Sequence, residues 1–174
     1  AANQIPDGVG RGDVTIAAGG TLDVGGFSET INGLSGAGLV TNSAAATLTL
    51  FVGTNNAGGT FSGSIKSSLG TMSVTKLGTG ALTLTGTNGY TGGTTVNGGS
   101  LVIAGGGVVT NAAGIIGNAA GNSNASVTVS GSGSMWTNNG ALTVGNSGSG
   151  NSLTIENTGM VFSTAGTIGA VASS

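Results

Sequence analysis

Short strand-like segments recur along this chain at a nearly fixed interval. Each consists of two apolar residues separated by one residue, and Gly, Asn or Ser bounds it on either side. The same interval separates Leu22 from Leu48 and Leu101 from Val127. Shorter gaps between other segments place a second or third strand within one period. The sequence therefore predicts stacked repeats of about 26 residues, each with two or three short strands.

One such repeat is too small to fold alone, because ordering the chain costs roughly 1.5 kcal/mol per residue. Coils stacked about 4.8 Å apart pair every interior strand on both sides and bury the apolar residues in columns. The sequence thus predicts an all-β protein, a single parallel β-helix of roughly seven coils over residues 1–174. Another repeat begins at Thr167, so we expect this solenoid to be an excised part of a longer repeat array. The expected core residues are Leu22, Leu48, Leu82, Leu101, Val127, Leu142 and Leu153.

An antiparallel sandwich is the alternative fold. The chain has 38 glycines, and its Asn-Gly pairs at 32–33, 88–89 and 139–140 suit either β-helix corners with positive φ or hairpin turns. The repeated internal shift favours the β-helix, because hairpins do not require a shift of fixed size.

The last third of the chain aligns with itself. Ser126–Trp136 overlays Ser152–Phe162 one predicted period further on, which places Trp136 on Phe162. We expect the two rings to form an aromatic stack in the core that fixes the register of neighbouring coils. The alternative is an exposed stack that binds sugar rings.

Composition excludes several classes of function. The absence of His and Cys removes histidine-based triads, thiol nucleophiles, disulfides and the usual zinc sites. Three basic and five acidic residues offer no positive surface for nucleic acid. No apolar run is long enough to span a bilayer, and the first residues do not form a secretory signal.

The acidic residues do not predict an active site. They are Asp7, Asp13, Asp23, Glu29 and Glu156. If Asp23 points outwards, the positions expected to stack on it are Thr49, Val102, Thr128 and Thr154. Because none of these is acidic, we expect no catalytic cluster, no metal site and no cofactor, and hence no enzyme.

Three short features have simple structural interpretations. Arg11–Asp13 reads Arg-Gly-Asp, but a chance occurrence before a strand is favoured over an integrin-binding loop. Asn124–Ser126 matches the glycosylation sequon and is interpreted as a turn. Lys66 and Lys76 are expected to be solvated charges at strand edges or turns.

A more specific pattern lies within Thr60–Ile103, in the segment KLGTGALTLTGTNGYTGGTTVNGGSL. It closely resembles the autotransporter-associated β-strand repeat of bacterial autotransporter passenger regions and other large bacterial surface proteins. The matching positions are Lys76, Leu82, Leu84, Tyr90, Gly92, Thr95, Val96, Gly99 and Leu101. Residues 105–174 look like a second repeat type of the same proteins, which divides the array at residue 104. The resemblance implies a right-handed parallel β-helix that is exported and has no catalytic residues.

The resulting hypothesis is a bacterial cell-surface or secreted rod that acts in adhesion or surface display. Its expected partners are host or matrix glycans or proteins. We expect it to bind no nucleic acid and to contain no membrane-spanning segment. The alternative is an extracellular fibre, assembled head to tail by self-association through open β-helix ends. Neighbouring threonines such as Thr83 and Thr85 leave ice binding as a third possibility.

Overall fold

The computed structural model describes residues 4–6, 10, 12–119, 121 and 123–169. Within these ranges the regular structure is β-strand, and no helix is long and apolar enough to cross a membrane. Layers 1 to 3 contain β1 (Val14–Ile16), β2 (Thr21–Asp23), β3 (Glu29–Ile31), β4 (Leu34–Gly36), β5 (Leu39–Asn42), β6 (Thr47–Val52), β7 (Gly59–Phe61), β8 (Ser64–Ser67) and β9 (Thr71–Lys76). Layers 4 to 7 contain β10 (Ala81–Leu84), β11 (Thr87–Gly89), β12 (Thr94–Val96), β13 (Ser100–Ala104), β14 (Val108–Asn111), β15 (Gly114–Ile116), β16 (Ser126–Ser130), β17 (Met135–Asn138), β18 (Ala141–Val144), β19 (Ser152–Glu156), β20 (Met160–Phe162) and β21 (Ala165–Ile168).

Each strand pairs in parallel with the strand three positions before or after it in the chain. Three seven-stranded sheets result. Sheet 1 contains the first strand of every layer, sheet 2 the second and sheet 3 the third. This arrangement is a parallel β-solenoid, and the predicted fold class is confirmed.

The length of a coil varies more than the sequence pattern predicted. In sheet 1, Leu101 opposes Val127, which opposes Leu153, so these two coils have the predicted length. Leu82 opposes Leu101, and the coil between them is clearly shorter. The strands keep to between three and six residues, so the turns between them absorb the difference.

The core consists of columns of inward-pointing side chains. In sheet 1, Leu82, Leu101 and Val127 stack on one another and are no more than 1% exposed. Leu153 continues this column in the last layer and is partly buried. Leu142 is buried in sheet 3. The interior therefore gains its stability from contacts between layers rather than within one layer.

The predicted equivalence of Leu22, Leu48 and Leu101 is wrong, because the three residues lie in different sheets. Leu22 is a partly buried residue of sheet 2 and opposes Val40. Leu48 is buried in sheet 3 and opposes Met72. Because the coils differ in length, strands of different sheets can be separated by one predicted period along the sequence. Equal spacing alone therefore does not identify stacked positions.

The Asn-Gly pairs also differ from the prediction, because they do not supply the positive φ angles of the corners. Gly89 lies inside β11, and positive φ falls on other glycines, such as Gly36 (101°) and Gly53 (104°). Asn88 is fully buried, and its Oδ1 accepts the N–H of Ile65 from the layer below at 2.9 Å. This asparagine therefore joins two layers.

Trp136 and Phe162 do not stack. Trp136 is fully buried in β17 and opposes Val161, whereas Phe162 is 50% exposed. The turn before β17 has four residues, 131–134, and the turn before β20 has three, 157–159. The missing residue shifts the register by one, and a shift of one turns a strand side chain to the opposite face.

Candidate functional site

The described residues contain no group of three His, Cys, Asp or Glu side chains that could hold a metal ion. Glu29 is only 5% exposed, and its carboxylate accepts the N–H groups of Gln4 at 2.9 Å and Ile5 at 2.8 Å. Asp23 and Glu156 lie in the first and last layers of the stack. Glu29 thus holds the segment at Gln4 and Ile5 against the first layer through these hydrogen bonds.

Asp23 stacks on residues other than those predicted. It lies in sheet 2, where Thr41 opposes it and Lys66 follows in the next layer. The residues predicted to stack on it belong to sheets 1 and 3; they are Thr49, Val102, Thr128 and Thr154. Hydrogen bonds from the Ser43 side chain and from the backbone N–H groups of Gly25 and Ser43 hold the pKa of Asp23 below its usual value. Asp23 is therefore an exposed, ionised residue at the end of β2.

The two sequence motifs at polar turns have structural roles where the structure describes them. Arg11, like Asp7, lies outside the described residues. Asp13 Oδ1 accepts hydrogen bonds from Asn32 Nδ2 at 2.7 Å and from the N–H of Gly33 at 2.9 Å, which ties the turn after β3 to β1. Asn124 is an exposed turn residue with a φ of 59°. The contacts of Asp13 support a structural role for this residue, and the φ of Asn124 agrees with the predicted turn.

Lys76 is buried, and the prediction of a solvated charge at this position is wrong. It is 1% exposed and lies in a column of sheet 3 between Val52 and Val96. Burial lowers the pKa of its ammonium group to about 8. The signal was present in the sequence, because Lys76 continues the alternation of Met72 and Val74, both of which point inwards.

Carbonyl groups at the corner between sheets 3 and 1 satisfy the ammonium group of Lys76. The acceptors of Nζ are the carbonyl oxygens of Leu77, of Gly78 at 3.2 Å and of Gly98 at 3.4 Å. Three acceptors match the three N–H donors of a charged lysine. Lys76 therefore has a structural role at the corner and does not contribute to a surface site.

Lys66 is exposed and lies at a shallow groove on the outer surface. The groove has a volume of about 620 Å³ and follows the turn from sheet 1 to sheet 2 across layers 1 to 4. Its polar lining includes Thr21, Ser64, Thr87 and Lys66, all from strands of sheet 2. No hydrogen bond within the described chain occupies the hydroxyl groups of these three residues or the ammonium group of Lys66.

A column of glycines forms the floor of this groove. Gly20, Gly38 and Gly63 directly precede strands of sheet 2 in successive layers. A methyl group on Gly63 would collide with the carbonyl oxygen of Gly38, and one on Gly38 would collide with Ile16. Close approach of the layers thus excludes side chains here and leaves a concave surface. The sequence pattern does not predict the groove, because these glycines are unequally spaced and lie closer together than the predicted period.

The groove combines hydroxyl groups, which donate and accept hydrogen bonds, with one ammonium group. This chemistry suits a ligand that carries both hydroxyl groups and a negative charge. The groove brings together none of the predicted core residues, and neither Trp136 nor Phe162 lines it.

Three parallel sheets around a continuous core make this chain a β-solenoid repeat protein. Residues 74–103 match the family model described as passenger-associated-transport-repeat. The match lies within Thr60–Ile103 and confirms, for that segment, the resemblance to autotransporter passenger repeats. No curated protein and no solved structure matches the chain. The repeat family implies an exported protein, either displayed at the cell surface or secreted.

Proposed function

We propose that this chain forms part of an exported bacterial rod that acts in adhesion or surface display and is not an enzyme. The observation that supports this function is the unbroken stacking of three parallel sheets through a segment that matches a passenger repeat. Each layer of a solenoid is stabilised by its neighbours, so a chain that leaves the cell unfolded can fold outside without ATP.

The partner we propose is an acidic glycan that binds in the groove of layers 1 to 4. Thr21, Ser64 and Thr87 would bond to sugar hydroxyl groups, and Lys66 would bond to a carboxylate. The support is chemical, because Lys66 places the only exposed lysine of the described chain beside three free hydroxyl groups. The remainder of the sheet 2 surface would serve as a rigid spacer.

Two experiments test this proposal. An antibody raised against the folded chain should label intact cells that express the parent protein, and labelling only after lysis would overturn surface display.

Binding of the purified chain to tetragalacturonate should exceed binding to neutral maltotetraose, and Lys66→Gln should weaken it about tenfold. Thr128→Ala, on the outer surface of sheet 1, is the control and should bind unchanged. Equal binding of Lys66→Gln would overturn the role of the groove.

The head-to-tail fibre is the second candidate function, and it needs an open surface at both ends of the rod. At the first layer, however, Ile31 is fully buried and Ile5 packs against the core. One covered end does not support repeated head-to-tail addition, so adhesion or display is the function we favour.

A further inference from the structure

The chain contains four Asn-Gly pairs, and the fold places them in different surroundings. They begin at Asn32, Asn88, Asn97 and Asn139. In such a pair the backbone nitrogen of the glycine can attack the side-chain amide carbon of the asparagine, because glycine has no Cβ to hinder the approach. The attack requires an asparagine side chain that can turn and a glycine N–H that no hydrogen bond holds. The contacts of each pair therefore decide whether it can react.

Hydrogen bonds hold both halves of the first pair. Asn32 is 5% exposed, and its Oδ1 accepts the N–H groups of Asn55 and Ala57. Its Nδ2 donates to Asp13 Oδ1 at 2.7 Å. The same oxygen accepts the N–H of Gly33 at 2.9 Å, so the attacking nitrogen is bound as well.

The second and third pairs are also restrained. Asn88 is fully buried in β11, and its Oδ1 and Nδ2 bond to Ile65 and Gly86 respectively. Asn97 is half-buried, and its Oδ1 accepts the N–H of Asn118 at 3.2 Å. Burial keeps water from Asn88, whereas one hydrogen bond alone restrains the side chain of Asn97 in the described structure.

Asn139 is the exposed asparagine among these pairs and lies with Gly140 in the turn between β17 and β18. Neither its side chain nor the N–H of Gly140 makes a hydrogen bond to any residue that the structure describes. Other atoms hold the turn. The N–H of Asn139 donates to the carbonyl oxygen of Asn111 at 2.9 Å, and the carbonyl oxygen of Gly140 accepts the N–H of Thr164 at 3.1 Å. The two reacting groups are thus free within an ordered turn.

We propose that Asn139 is a site of spontaneous deamidation, with water as the co-reactant. The nitrogen of Gly140 bonds to Cγ of Asn139, and the bond from Cγ to Nδ2 breaks. The proton of the attacking nitrogen passes to the leaving nitrogen, which departs as ammonia. One water molecule then opens the cyclic imide at either of its two carbonyl carbons. The products are aspartate and isoaspartate, and in isoaspartate the main chain runs through the former side-chain carbon.

The modification changes both the charge and the backbone of this turn in layer 6. Either product carries a carboxylate, so one conversion takes the formal net charge of the chain from −2 to −3. Isoaspartate also lengthens the main chain by one carbon in a turn of two residues, 139–140, that bonds to the layers on both sides. Because the reaction needs only water, an exported chain can undergo it after it has left the cell.

Peptide mass spectrometry of the native chain during incubation at mildly alkaline pH tests this proposal. Asn139 should convert at least about tenfold faster than Asn32 or Asn88, which must first give up several hydrogen bonds. Asn97 should convert at an intermediate rate. The matched control is the same chain unfolded in urea, where all four pairs lose their contacts and should convert at similar rates. Asn139→Gln should abolish the fastest conversion, because attack on the longer side chain must close a larger ring.

Two results would overturn the proposal. If Asn139 kept its amide in the native chain but lost it in urea, the folded turn would prevent the attack. If the native chain converted Asn139 no faster than Asn32, the contacts of the pairs would not control the reaction. The measurement involves neither glycan binding nor surface labelling, so its result is independent of the proposed function.

Discussion

Lys76 opposes Val52 in sheet 3, so an ammonium group shares a core column with valines. Burial lowers its pKa to about 8, from the ordinary value of 10.5 that it has in the unfolded chain. Between these two pH values the unfolded chain binds more protons than the native one. The free energy of unfolding therefore rises as the pH increases through this range.

The first prediction is that this free energy rises by about 2 kcal/mol between pH 8 and pH 10. Lys76→Met should abolish the rise, because no titrating group then occupies the column. Lys66→Met removes an exposed lysine instead and should keep the rise. Urea unfolding monitored by Trp136 fluorescence gives the measurement. The measurements should stop near pH 10. Burial raises the pKa of Tyr90 in the native protein, so above this pH the tyrosine ionises in the unfolded chain first and the free energy of unfolding falls. A rise that persists in Lys76→Met would contradict the assignment.

The second prediction concerns the glycine column under the groove. Gly63→Ala should lower the free energy of unfolding by about 2 kcal/mol or more, because the new methyl group would collide with the carbonyl oxygen of Gly38. Gly89→Ala is the matched control. A methyl group there meets no atom within 4 Å, and the expected change is under about 0.5 kcal/mol. Thermal unfolding followed by circular dichroism compares the two variants, and equal losses would disprove the close approach of the layers.

The sequence predicts the fold class of this protein better than it predicts which residues stack on one another. Alternating apolar residues at repeated intervals are sufficient for a parallel β-helix, because isolated short strands can bury their apolar faces only by stacking. The columns are harder to predict. The repeated interval aligns Leu101 with Val127 correctly, whereas it aligns Leu22 with a strand of another sheet. Register depends on the length of each turn, and one residue more or less reverses the face of a side chain.

The candidate groove was beyond the sequence analysis for the same reason. Ser64 and Lys66 are two residues apart and share a face in any strand, but Thr21 and Thr87 reach them only through coils of particular lengths. Lys76 was predictable in principle from its place in an alternating strand. Its charge favours an exposed position, but backbone carbonyls at a corner can satisfy a buried ammonium group.

The third prediction concerns the hydrogen bond that joins two layers in sheet 2. Trp136 Nε1 donates to Asn111 Oδ1 at 2.7 Å, and both residues are at most 1% exposed. Asn111→Ala leaves the indole N–H buried without an acceptor and should lower the free energy of unfolding by about 2 kcal/mol. Asn146→Ala removes a surface asparagine that bonds to Asn118 and should change it by less than about 0.5 kcal/mol. Urea unfolding followed by circular dichroism separates the two, and an unaffected Asn111→Ala would refute the structural role.

The fourth prediction concerns the short turn that shifts the register of β20. Thr158 has a φ of 68°, a conformation that disfavours β-branched residues and favours glycine. Thr158→Gly should therefore raise the free energy of unfolding by about 0.5 kcal/mol, the relief of strain outweighing the added freedom of the unfolded chain. Thr154→Gly makes the same exchange in the extended strand β19 and should lower it by about 0.5 to 1 kcal/mol. Thermal unfolding measures the change in stability of each variant. Changes of opposite sign would show that the strained turn, and not the loss of threonine, determines the effect. Destabilisation by both variants would rule out the strain.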